Sequence, residues 1–217
     1  CTNGNCDRRA KYVEAATDLL VSDLEWITAQ WADSGEARAN VMADEKAGLS
    51  AILTGMGSLS YGETAGERMR LGLMLNDPEE EHSCFADNTH NDHYYNGVGI
   101  QSVYLGSYTR ADGTTVSGPS VSDLVAASNP ELDMEMRARL ADAILALGRI
   151  KTAAEAGFAY DEMLARGNEG GEALIMGGVE GLINQTRSIE RVVTALDLGG
   201  IEIEGSDSLD NPSAVFQ

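Results

Sequence analysis

Steps of four and three separate the apolar positions along most of this 217-residue chain. Val13, Thr17, Leu20, Leu24, Ile27 and Trp31 follow that spacing near the start. Met136, Leu140, Ala143, Leu147, Ile150 and Ala154 follow it later, as do Leu174, Gly178, Leu182, Gln185, Ile189, Val192 and Leu196. A helix turns once every 3.6 residues, so each set lies on one helical face. Period-two alternation is confined to Ile201 and Ile203, set against Glu202 and Glu204, where a short extended piece fits. The expectation is an all-α protein, an up-and-down bundle with short connections. Residues 1–217 are read as a single domain with a short acidic tail, 201–217.

Breakers and caps divide the pattern. Gly35 is expected to stop the first helix, and a second should run over about 36–55, using Ala37, Val41, Leu49, Ile52 and Met56. A third, about 58–75, contains Gly62, Gly66 and Gly72. Each glycine costs about 1 kcal/mol relative to Ala inside a helix, which points to a neighbouring backbone packed close against them. Asp77-Pro78 reads as an N-cap and first turn, followed by Glu79-Glu80-Glu81. Residues 85–92 read as irregular, 92–107 as helix, and 108–118 as a loop turning at Asp112-Gly113. Ser120 is expected to cap a short helix and Asn129-Pro130 to open a long one that ends or kinks at Gly167, while Gly199-Gly200 stops the last.

The charge is lopsided: 15 basic residues against 35 acidic, a net of −20. Such a surface repels nucleic acid and anionic lipid, keeps the protein soluble, and attracts cations. No apolar run reaches the roughly 18 residues a membrane span needs. Of the three cysteines, Cys1, Cys6 and Cys84, none stands in a CxxC pair. Both Cys6–Cys84 and Cys1–Cys6 bridges remain open in an exported protein.

All three histidines, His82, His90 and His93, fall within one twelve-residue window that also holds Ser83, Asp87, Asn88 and Asp92. Imidazole beside carboxylate suits iron, zinc and similar divalent ions. The competing reading is a loop held by Asn, Asp and Thr hydrogen bonds, with Asn88 or Thr89 capping the next helix. His82, Asp87, His90 and Asp92 are the candidate metal ligands; Ser83, Asn88 and His93 are further candidates. Glu63 and Glu67, one helical turn apart, are also candidates, although Arg68 and Arg70 make a salt-bridged structural helix the default. HExxH, GxSxG and GxGxxG are absent, so no zinc-hydrolase, serine-hydrolase, nucleotide or flavin motif is present.

Three blocks stand out: Gly4-Asn5-Cys6-Asp7-Arg8-Arg9-Ala10, then Gly57-Ser58-Leu59-Ser60-Tyr61-Gly62-Glu63-Thr64-Ala65-Gly66-Glu67-Arg68-Met69, and the ending Ile203-Glu204-Gly205-Ser206-Asp207-Ser208-Leu209-Asp210-Asn211-Pro212. They resemble blocks of the imelysin family, peptidase M75-like proteins. The most specific match is Asp77-Pro78-Glu79-Glu80-Glu81-His82-Ser83-Cys84-Phe85-Ala86-Asp87-Asn88-Thr89-His90-Asn91-Asp92. The likeness is nearest to the iron-regulated protein A branch. It implies one half, the C-terminal half, of a two-bundle helical fold. The family signature GxHxxE belongs to the first bundle and is not found in these residues. The resemblance therefore implies a longer precursor with a signal sequence and a GxHxxE-bearing bundle, or that bundle as a separate chain, as the partner; a mature lipoprotein starting at Cys1 is the rival. It implies a periplasmic or outer-membrane-associated protein of bacterial iron acquisition, with residues 82–92 facing the inter-bundle cleft and iron as the metal. The alternatives are a metal-dependent endopeptidase and a structural partner domain with no site of its own.

Overall fold

The computed structural model describes residues 2–216. Helix dominates, as expected. The elements are α1 (Cys6–Gln30), α2 (Glu36–Met42), α3 (Glu45–Ser58), a π-helical segment (Leu59–Arg70) and α4 (Leu71–Leu75), followed by 3-10 turns at Pro78–Glu80 and Cys84–Ala86. Then come α5 (Thr89–Leu105), a hairpin of β1 (Ser107–Thr109) and β2 (Thr115–Ser117), α6 (Val121–Ser128), α7 (Pro130–Glu155), α8 (Tyr160–Leu164), α9 (Glu169–Ala195) and α10 (Asp207–Asp210). The antiparallel hairpin, with Tyr108 opposite Val116, is the only sheet among the described residues. It forms where a loop was expected. Asp112 takes both the backbone N–H and the hydroxyl of Thr114, and Gly113 at φ 84° completes the turn.

The chain separates into two compact units, Cys1–Gly48 and Leu49–Gln217. In the second, α7 packs on α9 and α5, and α9 packs on the π-helical segment. Met136, Leu140, Ala143, Leu147 and Ile150 of α7 are all fully buried. One apolar cluster gathers Leu53, Ile100, Met136, Leu140 and Ile189, and the other Met69, Leu147, Ile150, Met163 and Leu182. Each large side chain removed from water contributes about 1.5–3 kcal/mol.

The first unit behaves differently. The four-and-three spacing does mark a helix, but α1 has no buried residue. Val13, Leu20, Leu24, Ile27 and Trp31 are 62%, 57%, 53%, 48% and 55% exposed, so the expected core face is solvent-facing. Seven-residue α2, the other helix wholly in this unit, buries none of its own side chains either.

Caps explain most boundary differences. Asp44 Oδ1 accepts from Ala47 N at 2.7 Å, which starts α3 and splits the single helix expected over 36–55. Gly35 is the N-cap of α2 rather than a stop for α1. The long helix ends at Glu155 instead of Gly167, because Gly157 takes φ 97° and Phe158 N turns back to Ala153 O. Ser120 forms a full capping box with Asp123, and Asn129 accepts from Leu132 N ahead of Pro130, both as the sequence indicates.

The glycines of the third segment do meet close neighbours. A Cβ on Gly62 would lie 2.5 Å from Glu204 O, and one on Gly66 would lie 2.3 Å from Ser206 Cβ. The tail thus lies directly on the π-helical segment. Ser208 Oγ donates to Gly66 O at 2.9 Å, Ser206 Oγ to Glu67 Oε1 at 2.5 Å, and Glu204 N to Ser58 Oγ at 3.0 Å.

A buried polar hub ties α5, α6 and α7 together. Asp133 accepts from Tyr104 OH at 3.0 Å, from Arg137 Nε at 2.7 Å, and from Ser122 Oγ. Burial alone would raise the Asp133 carboxyl, but the bonds from Ser122, Arg137 and Tyr104 outweigh it and hold it below the usual carboxylate range.

Cys84 is a free, exposed thiol, which removes the Cys6–Cys84 pairing. The alternative pairing involves Cys1, which lies outside the described residues.

Candidate functional site

Helix α5 begins at Thr89, three residues before the expected start, and this sets which side chains share a face. Asn88, Asn91, Asp92, Tyr95 and Asn96 fall at i, i+3, i+4, i+7 and i+8, one face of a helix. With His82 they line an open polar recess of about 540 Å³. Asn91, Tyr95 and Asn96 are the lining residues that were not anticipated; their spacing signals them only once the helix is started at Thr89.

The segment before α5 is held by a relay of side chains. Ser83 N donates to Thr89 Oγ1 at 2.9 Å, and Thr89 Oγ1 donates to Glu81 Oε2 at 2.8 Å. Glu81 is 7% exposed, and burial raises its carboxyl against the lowering effect of the Thr89 bond. Thr89 therefore anchors the turn instead of capping the helix. Asn88 makes no cap bond either; its Oδ1 accepts from Asn91 Nδ2 at 2.9 Å. Lys151 Nζ donates to Asn91 Oδ1 at 2.6 Å, fixing this wall to α7.

Of the candidate ligands, His82 and Asp92 come together. His82 Nδ1 stands 3.6 Å from Asp92 Oδ2, an ion-pair distance longer than a hydrogen bond. Ser83 Oγ donates to the same carboxylate oxygen. The serine hydroxyl thus helps hold the Asp92 carboxylate in place. His90 and Asp87 do not line the recess. His90 Nε2 contacts Asn91 Nδ2 at 3.1 Å, and Asp87 closes the preceding 3-10 turn with φ 48°.

His93 points into the core. It is fully buried and meets Tyr160 edge-on at 5.1 Å, and neither ring nitrogen has a hydrogen-bond partner. Burial, the largest cause, pushes its pKa down to about 3. Glu63 pairs with Arg68 at 3.0 Å and Glu67 accepts from Ser206, so both act in holding the π-helical segment.

Among the described residues, no group of three or more His, Cys, Asp or Glu side chains is arranged to hold a metal ion. His82 and Asp92 offer two donors on one wall, short of the three protein ligands a catalytic zinc site carries. A metal ion held in the recess would need donors beyond these two.

Compared with known families, residues 2–189 match the family model described as Imelysin, Peptidase M75. No curated protein matches the chain.

Proposed function

Since this chain belongs to the imelysin family, we propose that it serves bacterial iron acquisition and contributes half of a metal-related site. The observation that carries this reading is the His82–Asp92 pair, 3.6 Å apart on the wall of an open polar recess. The remaining donors come from a partner, the imelysin-like bundle that bears GxHxxE, in the same precursor or as a separate chain. The exposed apolar face of α1 supports the need for a partner: Tyr12, Val13, Leu20, Leu24, Trp26 and Ile27 are each about half exposed or more. The net charge of −20 favours cations over nucleic acid. Iron is the proposed metal, with zinc or another divalent ion as the alternative, and the location is periplasmic or outer-membrane-associated. No helix among the described residues is long and apolar enough to cross a membrane.

The test is a calorimetric titration of ferrous iron and zinc into this chain, alone and combined with the GxHxxE bundle. The half-site reading expects weak binding alone and tight binding together, with the gain lost in a His82→Ala/Asp92→Asn variant. Equal affinity in variant and parent would remove this recess from the site. Metal-dependent peptide cleavage that the same substitutions abolish would replace iron handling with the endopeptidase reading.

A further inference from the structure

Away from the His82 recess, α7 and α9 face each other across a second one, of about 260 Å³. Asn184, Arg187, Ser188 and Arg191 project from one face of α9, and Glu135 and Arg139 from one face of α7. A chain with 15 basic and 35 acidic residues has thus gathered three guanidiniums on one small surface. Three guanidiniums less one carboxylate leave two positive charges on the lining.

The single carboxylate is already engaged. Both oxygens of Glu135 accept from Arg191 Nη1, and its Oε1 also accepts from Ser188 Oγ at 3.1 Å. Ser188 is 3% exposed, so this corner is anchored. Among the described residues the neutral Asn184 Oδ1, at 3.1 Å, is the one hydrogen-bond acceptor of Arg187, which also borders the neighbouring recess of Glu190 and Asp210. Arg139 is tied at 3.2 Å to Asp142 in a pair whose side chains are 46% and 61% exposed. Such an exposed pair contributes at most about 1 kcal/mol and gives way readily to a better acceptor.

We infer that this recess binds a small oxyanion of two or more negative charges, held by the guanidiniums of Arg187 and Arg139. The planar fork of arginine donates two parallel N–H bonds to phosphate or carboxylate oxygens, which an ammonium cannot do. The chain's overall negative charge turns away long polyanions, so the ligand is a compact one that fits within the recess. A phosphate-bearing ligand and a small polycarboxylate share this chemistry. The inference is independent of the metal-related site and stands or falls without it.

Inorganic phosphate and citrate are titrated separately into the protein at low ionic strength, by calorimetry and by the shift of its thermal melt. Saturable binding of at least one probe is expected. Arg187→Gln weakens it about tenfold, the effect of one lost charge-assisted bond. Arg187→Lys keeps the charge and recovers only part of the affinity, whereas Arg110→Gln, which removes the same charge from the hairpin, leaves binding unchanged. Arg139→Gln provides a second reading should Arg187→Gln fail to fold. Saturation by phosphate alone assigns a phosphate-bearing ligand, and by citrate alone a polycarboxylate. No saturation by either probe up to about 10 mM, well past the range of a specific site, overturns the inference. Equal weakening by Arg110→Gln overturns it too.

Discussion

The hydroxyl of Tyr61 donates to Asp210 Oδ1 at 2.6 Å, joining the π-helical segment to the tail across 149 positions of sequence. Burial first, and then this bond, push the Tyr61 hydroxyl up to about 12. The folded value lies above the unfolded value of about 10. The stabilisation is therefore complete below about pH 10 and is lost as pH rises through about 12. Tyr61→Phe is expected to cost about 1 kcal/mol at neutral pH and to flatten the alkaline decline. Denaturant melts at neutral and alkaline pH read both effects, and an undiminished alkaline slope in the variant would contradict the assignment.

Gly66→Ala and Gly99→Ala should move stability in opposite directions. A Cβ at Gly66 would lie 2.3 Å from Ser206 Cβ, whereas one at Gly99 meets nothing within 4 Å. Gly99→Ala should stabilise by up to about 1 kcal/mol through helix propensity. Gly66→Ala should destabilise by about 1–3 kcal/mol through overpacking and free the tail. Urea melts give the signs, and limited proteolysis after residue 200 reports the release. Equal effects of the two substitutions would mean that the tail does not lie where described.

Acid should weaken the Asp133 hub. Its carboxyl is held below the usual range, so its contribution is present above the unfolded value of about 3.9 and is lost as pH falls through the folded one. Asp133→Asn is expected to cost about 2 kcal/mol at neutral pH, with the gap to the parent closing in acid. A gap that stays constant between neutral pH and pH of about 3 would sink this account.

Adjacent positions should respond differently to substitution. His93 sits in the core with both ring nitrogens unpartnered, while Asp92 lies on the wall of the recess. An unpartnered buried polar group replaced by an apolar one is tolerated or even stabilising. His93→Leu should therefore change stability by less than about 1 kcal/mol and leave metal titrations unaltered, while Asp92→Asn should weaken them. A metal affinity that falls with His93→Leu would return that histidine to the site.

Local chemistry was legible wherever one short motif decided the outcome. Ser120 with Asp123 and Asn129 with Pro130 start helices because the side chains satisfy N–H groups at a fixed spacing. The buried face of α7 was legible because α5 and α9 cover it along its length. Burial of α1 was not, since periodicity gives the face of a helix and says nothing of what covers it. The recess was only partly legible: His82 and Asp92 stood out by residue type, but Asn91, Tyr95 and Asn96 depend on a helix that starts at Thr89. That start goes with the Glu81–Thr89–Ser83 relay, in which the Thr89 hydroxyl joins the Glu81 side chain, eight residues away, to the Ser83 backbone N–H, a contact that no cap motif announces.

Both tryptophans of the chain, Trp26 and Trp31, lie within residues 1–48 and are 64% and 55% exposed. Intrinsic tryptophan emission is consequently a signal from the first unit alone, already red-shifted by water in the folded protein. Far-ultraviolet dichroism draws mostly on the helices of residues 49–217. The unit that holds both recesses carries no tryptophan of its own, so the loss of α5 in a mutant is to be read from dichroism rather than from tryptophan emission.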